Sequence, residues 1–285
     1  MMKNILVTGA KGQLGSELQF LSHSQKDLTF TFVDVEELDI TNQNKVVDFF
    51  GKGKFDYCIN CAAYTAVDKA ESDKDLAYEV NVNGPKNLAV AAKKHKTKVF
   101  HVSTDFVFNG DSSTAYTEDM VTNPLGVYGD TKLKGEEAIA KTIQHYFIIR
   151  TAWLYSSYGG NFVKTMLRLG REREELGVIV DQIGTPTYAR DLAETILSMI
   201  NNCDEAYGIY HFSNEGVASW YDFAKTVFKI KNIEVKVNPI PTSAYPTPAK
   251  RPSFSLLDKS KIKTTFNISI PYWQDSLLNC LDLID

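Results

Sequence analysis

Tyr128 and Lys132 stand four residues apart in N-P-L-G-V-Y-G-D-T-K-L-K-G-E-E, residues 123 to 137. A phenol with a cation one helical turn away suits the reduction of a ketone. Hydride delivered to the carbonyl carbon leaves an alkoxide, which must be protonated as it forms. Free tyrosine and lysine titrate at about 10 and about 10.4. A cation beside the phenol favours phenolate, so Lys132 is expected to draw Tyr128 toward working pH. Spacing does not decide the matter, because Tyr221 and Lys225 in Y-D-F-A-K repeat it. Gly126 and Gly129 flank Tyr128 and weaken a helix by roughly 1 kcal/mol each. Their missing side chains are expected to let that helix lie against a cofactor or the sheet.

A second cluster lies at the start of the chain, where V-T-G-A-K-G-Q-L-G places Gly9, Gly12 and Gly15 between an apolar run and the helical S-E-L-Q-F-L. A strand-to-helix turn of this kind needs glycine for tightness, for backbone approach to a pyrophosphate and for close packing of helix on sheet. It reads as a dinucleotide site, with Lys11, Gln13 and Leu14 inside it. Asp34 closes the second apolar run, nineteen residues beyond Gly15, where a carboxylate would accept ribose hydroxyls and repel a 2′-phosphate. Lys11 would attract that phosphate, so the two charges oppose each other and the cofactor reads as NADPH or NADH.

Those residues need a scaffold, and the chain has the pattern for one. Short apolar runs K-N-I-L-V-T, T-F-T-F-V-D, F-D-Y-C-I-N, K-V-F-H-V-S and Y-F-I-I-R-T alternate with amphipathic stretches, among them one helix predicted over D-L-A-Y-E-V-N-V-N-G-P-K-N-L-A-V-A-A-K-K. Five alternations predict an α/β fold with a doubly wound parallel sheet. Thr104 would end its fourth strand, the end at which such sheets place ligands. Residues 1–152, with about 178–212, are expected to form the dinucleotide-binding domain. Most of 153–285 would form a smaller, discontinuous substrate-binding domain. R-E-R-E-E at 171 to 175 reads as a solvated helix face, and the proline-rich 239–252 as an extended loop placed to wrap a ligand.

Composition narrows the partners. With 44% hydrophobic and 23% charged residues the chain can build a core, and no run approaches the roughly 20 apolar residues of a membrane span. A cytoplasmic protein is expected. Net charge of −4 without a long basic run speaks against nucleic acid. Cys58, Cys61, Cys203 and Cys280 lack a second cysteine or histidine pair to complete a zinc set and read as buried free thiols.

Taken in order, the glycine turn, N-C-A-A-Y-T-A-V-D-K-A-E (60 to 71), S-T-D-F-V-F (103 to 108) and Y-G-D-T-K resemble an extended short-chain dehydrogenase/reductase. Together with R-T-A-W-L-Y, G-G-N-F-V-K-T-M-L-R-L, D-Q-I-G-T-P-T and T-S-A-Y-P-T-P-A-K-R-P, they are most similar to the dTDP-4-dehydrorhamnose reductases. The resemblance spans nearly the whole chain. It implies catalytic roles for Thr104, Tyr128 and Lys132, and cofactor contacts from the glycine turn, Asp39, Ile40, Ala62, Ala63, Tyr64 and Thr65. It implies sugar-nucleotide contacts from Val67, Asp105, Phe106, Trp153, Asn161, Phe162 and Arg251. The implied substrate is a dTDP-4-keto-6-deoxy-L-sugar, reduced at C4 to give dTDP-L-rhamnose. Cys61 stands where alanine is more usual, and Phe106 replaces a common tyrosine and so removes one hydroxyl contact. Some members dimerise through a metal held by glutamates. Here Gly15 and Ser16 precede Glu17 and no metal is expected, while a homodimer remains an allowed assembly.

Two other functions share parts of this pattern. Related nucleotide-sugar dehydratases and epimerases share the glycine turn and the Tyr/Lys pair, as would another nucleotide-4-keto-6-deoxysugar reductase; the dehydratases place an acidic residue directly after the Thr-Asp pair, a position held here by Phe106. A regulatory subunit of methionine adenosyltransferase keeps the fold as a binding module, which an intact Thr104, Tyr128 and Lys132 disfavours.

Overall fold

The computed structural model describes residues 2–202 and 205–284. Five strands, β1 (Lys3–Thr8), β2 (Leu28–Val33), β3 (Tyr57–Asn60), β4 (Lys98–Thr104) and β5 (Tyr146–Thr151), pair in parallel in the order β2-β1-β3-β4-β5. A sixth strand, Gly208–His211, pairs in parallel with β5 at the edge. The order reverses between β1 and β3, and an open sheet of this kind binds ligands in the crevice beyond that point.

Helices α1 (Gln13–Ser22), α2 (Gln43–Gly53), α3 (Val67–Ala70), α4 (Lys74–Tyr78), α5 (Gly84–His95), α6 (Val127–Thr142), α7 (Phe162–Glu172), α8 (Ala189–Asn201) and α9 (Trp220–Ile230) follow in chain order. Strand residues alternate between two buried faces, which is why β1 reads as a continuous apolar run. Ile5, Val7, Ile59 and Phe100 pack with Leu14 and Leu18 of α1 and Leu192 and Ile196 of α8. Leu6, Cys58 and Val99 meet Val46 and Phe50 of α2 and Leu88 and Ala92 of α5. A separate core gathers Tyr155, Val163, Leu167, Phe223, Val227 and Trp273, all from beyond residue 153. Val178 and Tyr188 belong to that core, whereas α8 and the edge strand return to the sheet.

Four expectations need correction. The sheet has six strands where five were legible. The helix predicted over 75–94 is broken into α4, a π turn over Glu79–Asn83 and α5. R-E-R-E-E is exposed throughout, but α7 ends at Glu172 and a strand begins at Glu175, so it is only partly a helix face. The proline-rich segment begins as a strand, Lys236–Ile240, paired in parallel with Glu175–Ile179. It is then fastened to the protein itself, by Thr242 on Asp181 at 2.6 Å and by Arg251 on Asp68 at 2.8 Å. Cys58 and Cys280 are buried free thiols and Cys61 is half-buried; Cys203 lies outside the described residues. No helix among those residues is long and apolar enough to cross a membrane.

Candidate active site

A cleft of about 850 Å³ opens at the C-terminal ends of β1, β3, β4 and β5. Gly9, Lys11, Gly12, Gln13 and Leu14 line one side, and Asp34, Asp39 and Ile40 its end; Ala62, Ala63, Thr65 and Val67 line another part. Thr104, Asp105, Phe106, Tyr128, Lys132, Trp153 and Asn161 complete the predicted residues that it brings together. Tyr64, Phe162 and Arg251 are not among its lining residues.

The turn into α1 is built to approach something closely. Gly9 has φ +68°, and a Cβ there would come within 2.6 Å of the Ala62 nitrogen. Gly12 caps α1 with no side-chain hydrogen bond, and α1 carries no acidic residue in its first turn. Its leading N–H groups are therefore open to an anion, as a dinucleotide pyrophosphate requires. Asp34 accepts the backbone N–H of Lys11 at 2.9 Å, while the Lys11 ammonium pairs with Glu36 at 2.6 Å on the exposed rim. Asp39 accepts both the backbone N–H of Thr41 at 3.0 Å and its hydroxyl at 2.7 Å. These residues fit a nicotinamide dinucleotide.

The loop after β3 is held from below by the π turn. Asn81 accepts the Tyr64 N–H at 2.8 Å and donates to the Tyr64 carbonyl at 3.2 Å and to Thr131 of α6 at 3.1 Å. The Tyr64 phenol donates to Asp73 at 2.9 Å, which explains its absence from the lining. A π turn commonly marks such a site, and this one ties the loop to the helix carrying Tyr128.

Thr104 ends β4, donates to Asp105 at 2.9 Å and accepts the Phe106 N–H at 3.2 Å. Burial pushes the Asp105 carboxyl up to about 6, with the Ser255 and Thr104 hydroxyls working the other way. The Tyr128 ring meets Phe106 edge-on, with centroids 5.5 Å apart. Burial pushes its phenol up to about 12, with the Thr104 side chain working the other way and the Asp105 charge adding to the rise. The expected fall of the Tyr128 pKa through Lys132 is therefore not found. The Lys132 nitrogen donates instead to the Val102 carbonyl at 2.7 Å and lies 3.3 Å from His101 Nε2. Burial lowers Lys132 to about 8, with the Glu136 carboxylate pulling upward.

The space at Gly126 and Gly129 is taken by the protein's own groups, none of them from the sheet. Glu71 accepts the Val127 N–H at 2.8 Å, supplying the cap that Gly126 cannot, and a Cβ on Gly126 would sit 2.6 Å from that oxygen. Gly129 admits the Phe106 carbonyl. Beneath Lys132, Glu136 and Arg150 form a buried bidentate pair at 2.7 to 3.2 Å, with Ser103 donating to the same carboxylate.

Trp153 has φ +48°, uncommon for a residue with a side chain, and is stacked on Trp220 at 3.7 Å. Asn161 caps α7 through Lys164 N at 3.1 Å and donates to Gln13 at 3.0 Å, linking α7 to the glycine turn. Phe162, the first residue of α7, packs on Trp220 and Phe223. Arg251 forks onto both oxygens of Asp68, on the helix that Val67 begins. Glu17 is buried and pairs with Arg190 at 2.9 Å and Ser156 at 2.6 Å. Sequence reasoning missed Asn60, His101, Glu71 and Asn81. A histidine inside an apolar strand, two residues before Ser103 and so on the same strand face, is the signal that could have found His101.

A protein-family model, the RmlD substrate binding domain, matches residues 2–285. The dTDP-4-dehydrorhamnose reductase of Aggregatibacter actinomycetemcomitans is 43% identical over 289 aligned positions, covering 98% of each chain. The crystal structure of a dTDP-4-dehydrorhamnose reductase from Clostridium acetobutylicum superposes with TM-score 0.95 at 44% identity over 99% of each chain. That of the Bacillus anthracis reductase in complex with NADP gives 0.94 at 40% identity, again over 99% of each. On this similarity over its whole length, the chain belongs to the family of the dTDP-4-dehydrorhamnose reductases.

Proposed function

We propose that the protein reduces the C4 ketone of dTDP-4-dehydro-L-rhamnose to give dTDP-L-rhamnose, with NADPH or NADH as reductant. The observation that carries this reading is the meeting of Thr104, Tyr128 and Lys132 with the open N-terminus of α1 in one cleft. The glycine turn and the N-terminus of α1 would hold a reduced nicotinamide dinucleotide through its pyrophosphate, and that group would supply the hydride.

The chain's own residues supply the proton. Tyr128 keeps its phenolic hydrogen at neutral pH, and an alkoxide at C4 is far more basic than any phenolate, so the transfer runs downhill. Thr104 is the neighbouring hydroxyl and orients the same oxygen. Lys132, one turn along α6, brings a cation to the same end of the cleft, held there by the Val102 carbonyl. Asp105 and Phe106 border the sugar, Trp153 covers one face of the nucleotide sugar, and Val67 and Asn161 close its sides. Phe162 acts from behind Trp220, and Arg251 fixes the Val67 helix through Asp68. Residues 1–152 with about 178–212 serve the cofactor and the rest of 153–285 mainly the sugar nucleotide. A homodimer is the assembly proposed.

The test follows reduced-cofactor absorbance on adding dTDP-4-dehydro-L-rhamnose, with NMR assignment of the product at C4. Oxidation of neither cofactor would sink the proposal, and an epimeric alcohol would reassign the sugar.

A further inference from the structure

The floor beneath Lys132 carries a polar chain that the reduction itself does not use. Thr8, Asn60 and His101 sit on three adjacent strands, and the parallel register sets Thr8 beside Asn60 and Asn60 beside His101. All three are buried, His101 completely.

One bond fixes the polarity of the whole chain. The backbone N–H of Ala62 donates to Asn60 Oδ1 at 3.1 Å, and a backbone donor cannot be reversed. A flipped amide would set two donors against each other, so Oδ1 faces Ala62 and also accepts Thr8 Oγ1 at 2.7 Å. Asn60 Nδ2 then lies 3.0 Å from His101 Nδ1 and can only donate to it. Burial and the nearby Lys132 hold His101 well below the usual imidazole range, so the ring is neutral. A neutral ring that accepts at Nδ1 carries its hydrogen on Nε2, which lies 3.3 Å from Lys132 Nζ. An ammonium has no lone pair to receive that hydrogen.

We propose that Asn60 and His101 are positioning residues for Lys132: they lock the imidazole in its Nε2–H tautomer and aim that hydrogen at the lysine nitrogen, opposing the ammonium form. The Val102 carbonyl holds the same nitrogen in place. The other groups facing Lys132 do not produce this effect. Glu136 on α6 favours the cation and is itself engaged by Arg150 from β5. Cys61, after β3, has its thiol pushed up to about 12 by burial, and Tyr128 keeps its proton to about 12, so both stay neutral. Burial brings Lys132 down to about 8, where it is charged at neutral pH but close to losing its proton, and the hydrogen aimed at it acts in the same direction.

The consequence for turnover rests on the role proposed for Lys132, whereas the tautomer is read independently. Long-range proton–nitrogen NMR of the full chain labelled with 15N-histidine, assigned with His101→Gln, should show hydrogen on Nε2 of His101 and none on Nδ1. Asn60→Asp replaces the donor facing Nδ1 by an acceptor, so the hydrogen should move to Nδ1 and Nε2 should then accept from the ammonium. The alkaline limb of kcat/KM, expected at about 8 in the parent, should rise by about one pH unit in Asn60→Asp, where the charge of the new carboxylate adds to the change of tautomer. It should stay in place in His101→Gln, which keeps a donor toward Lys132. Hydrogen on Nδ1 in the parent overturns the proposal whether or not a variant folds. So does a folded Asn60→Asp protein whose tautomer or alkaline limb does not move. A parent with the Nε2–H tautomer but no alkaline limb would instead strike at the role of Lys132 in turnover.

Discussion

Tyr128→Phe removes one oxygen and little else. The ring keeps its edge-on contact with Phe106, and α6 keeps its cap from Glu71 on Val127. The stability cost should be near the roughly 1 kcal/mol of a single hydrogen bond. Cofactor affinity should hold within about twofold, because the anion-facing N–H groups of α1 and the Gly9 turn are untouched. Turnover should collapse. A positioned acid contributes about 10² to 10⁴ in rate, or roughly 3 to 5 kcal/mol of barrier. The control is Tyr221→Phe, at the same spacing from a lysine. Tyr221 lies on α9 behind the Ser219–Asp222 capping box, packs against the second core and does not line the cleft. It should keep its rate within about twofold. Steady-state oxidation of the reduced cofactor, with cofactor affinity measured by fluorescence, separates the two. Equal losses in the two variants, or a Tyr128→Phe rate within about tenfold of the parent, would refute the reasoning from context.

Asp34→Ala should shift the kcat/KM ratio toward NADPH by about tenfold, near 1.4 kcal/mol, since it removes a carboxylate that repels a 2′-phosphate and leaves Lys11 in place. Both cofactors assayed side by side would check it, and an unchanged ratio would contradict it. Glu71→Ala should cost about 1 kcal/mol in urea unfolding, as loss of a helix cap does, and should lower kcat because Val127 precedes Tyr128. Asp105→Asn should alter the pH dependence of stability. The native carboxyl titrates at about 6, against about 3.9 when unfolded. Between those values the native state binds more protons, so parent stability falls as pH rises through the window. The fall, on the order of 3 kcal/mol, should be absent from urea midpoints of the asparagine variant.

Much of the fold is legible in the sequence because strand and helix periodicities alternate cleanly from β1 to β5. The sixth strand is not, since Gly208–His211 is short and ends in a polar residue that packs under Phe108 and Tyr116. The break in the helix over 75–94 escapes periodicity for a different reason. Glu79–Asn83 has no proline or glycine inside it, but Gly84 and Pro85 follow directly, and Pro85 has no N–H for the Asn81 carbonyl four residues back; the π turn that results lets Asn81 reach both Tyr64 and Thr131. The cleft residues near the glycine turn are legible because backbone approach dictates their type. Arg251 and Phe162 are harder to place. Their chemistry suits a ligand, yet Asp68 and the Trp220–Phe223 pair lie nearer than the cleft.

What Tyr128 and Lys132 do depends on sheet register more than on their own spacing. Spacing puts both side chains near one face of α6, and it does the same for Tyr221 and Lys225 on α9. Only the first pair lies over a sheet whose β3–β4 register sets Asn60 beside His101, and whose β1–β3 register sets Thr8 beside Asn60. A slip of one residue between β3 and β4 would bring Ile59 or Cys61 beside His101 and turn Asn60 to the other pairing. The imidazole would lose the donor that fixes its tautomer, and Lys132 the hydrogen aimed at it. The apolar residues Leu6, Cys58, Val99 and Ile148 on one face, and Ile5, Val7, Ile59 and Phe100 on the other, hold that register by burial. The core that builds the sheet therefore also sets the proton chemistry at the end of it.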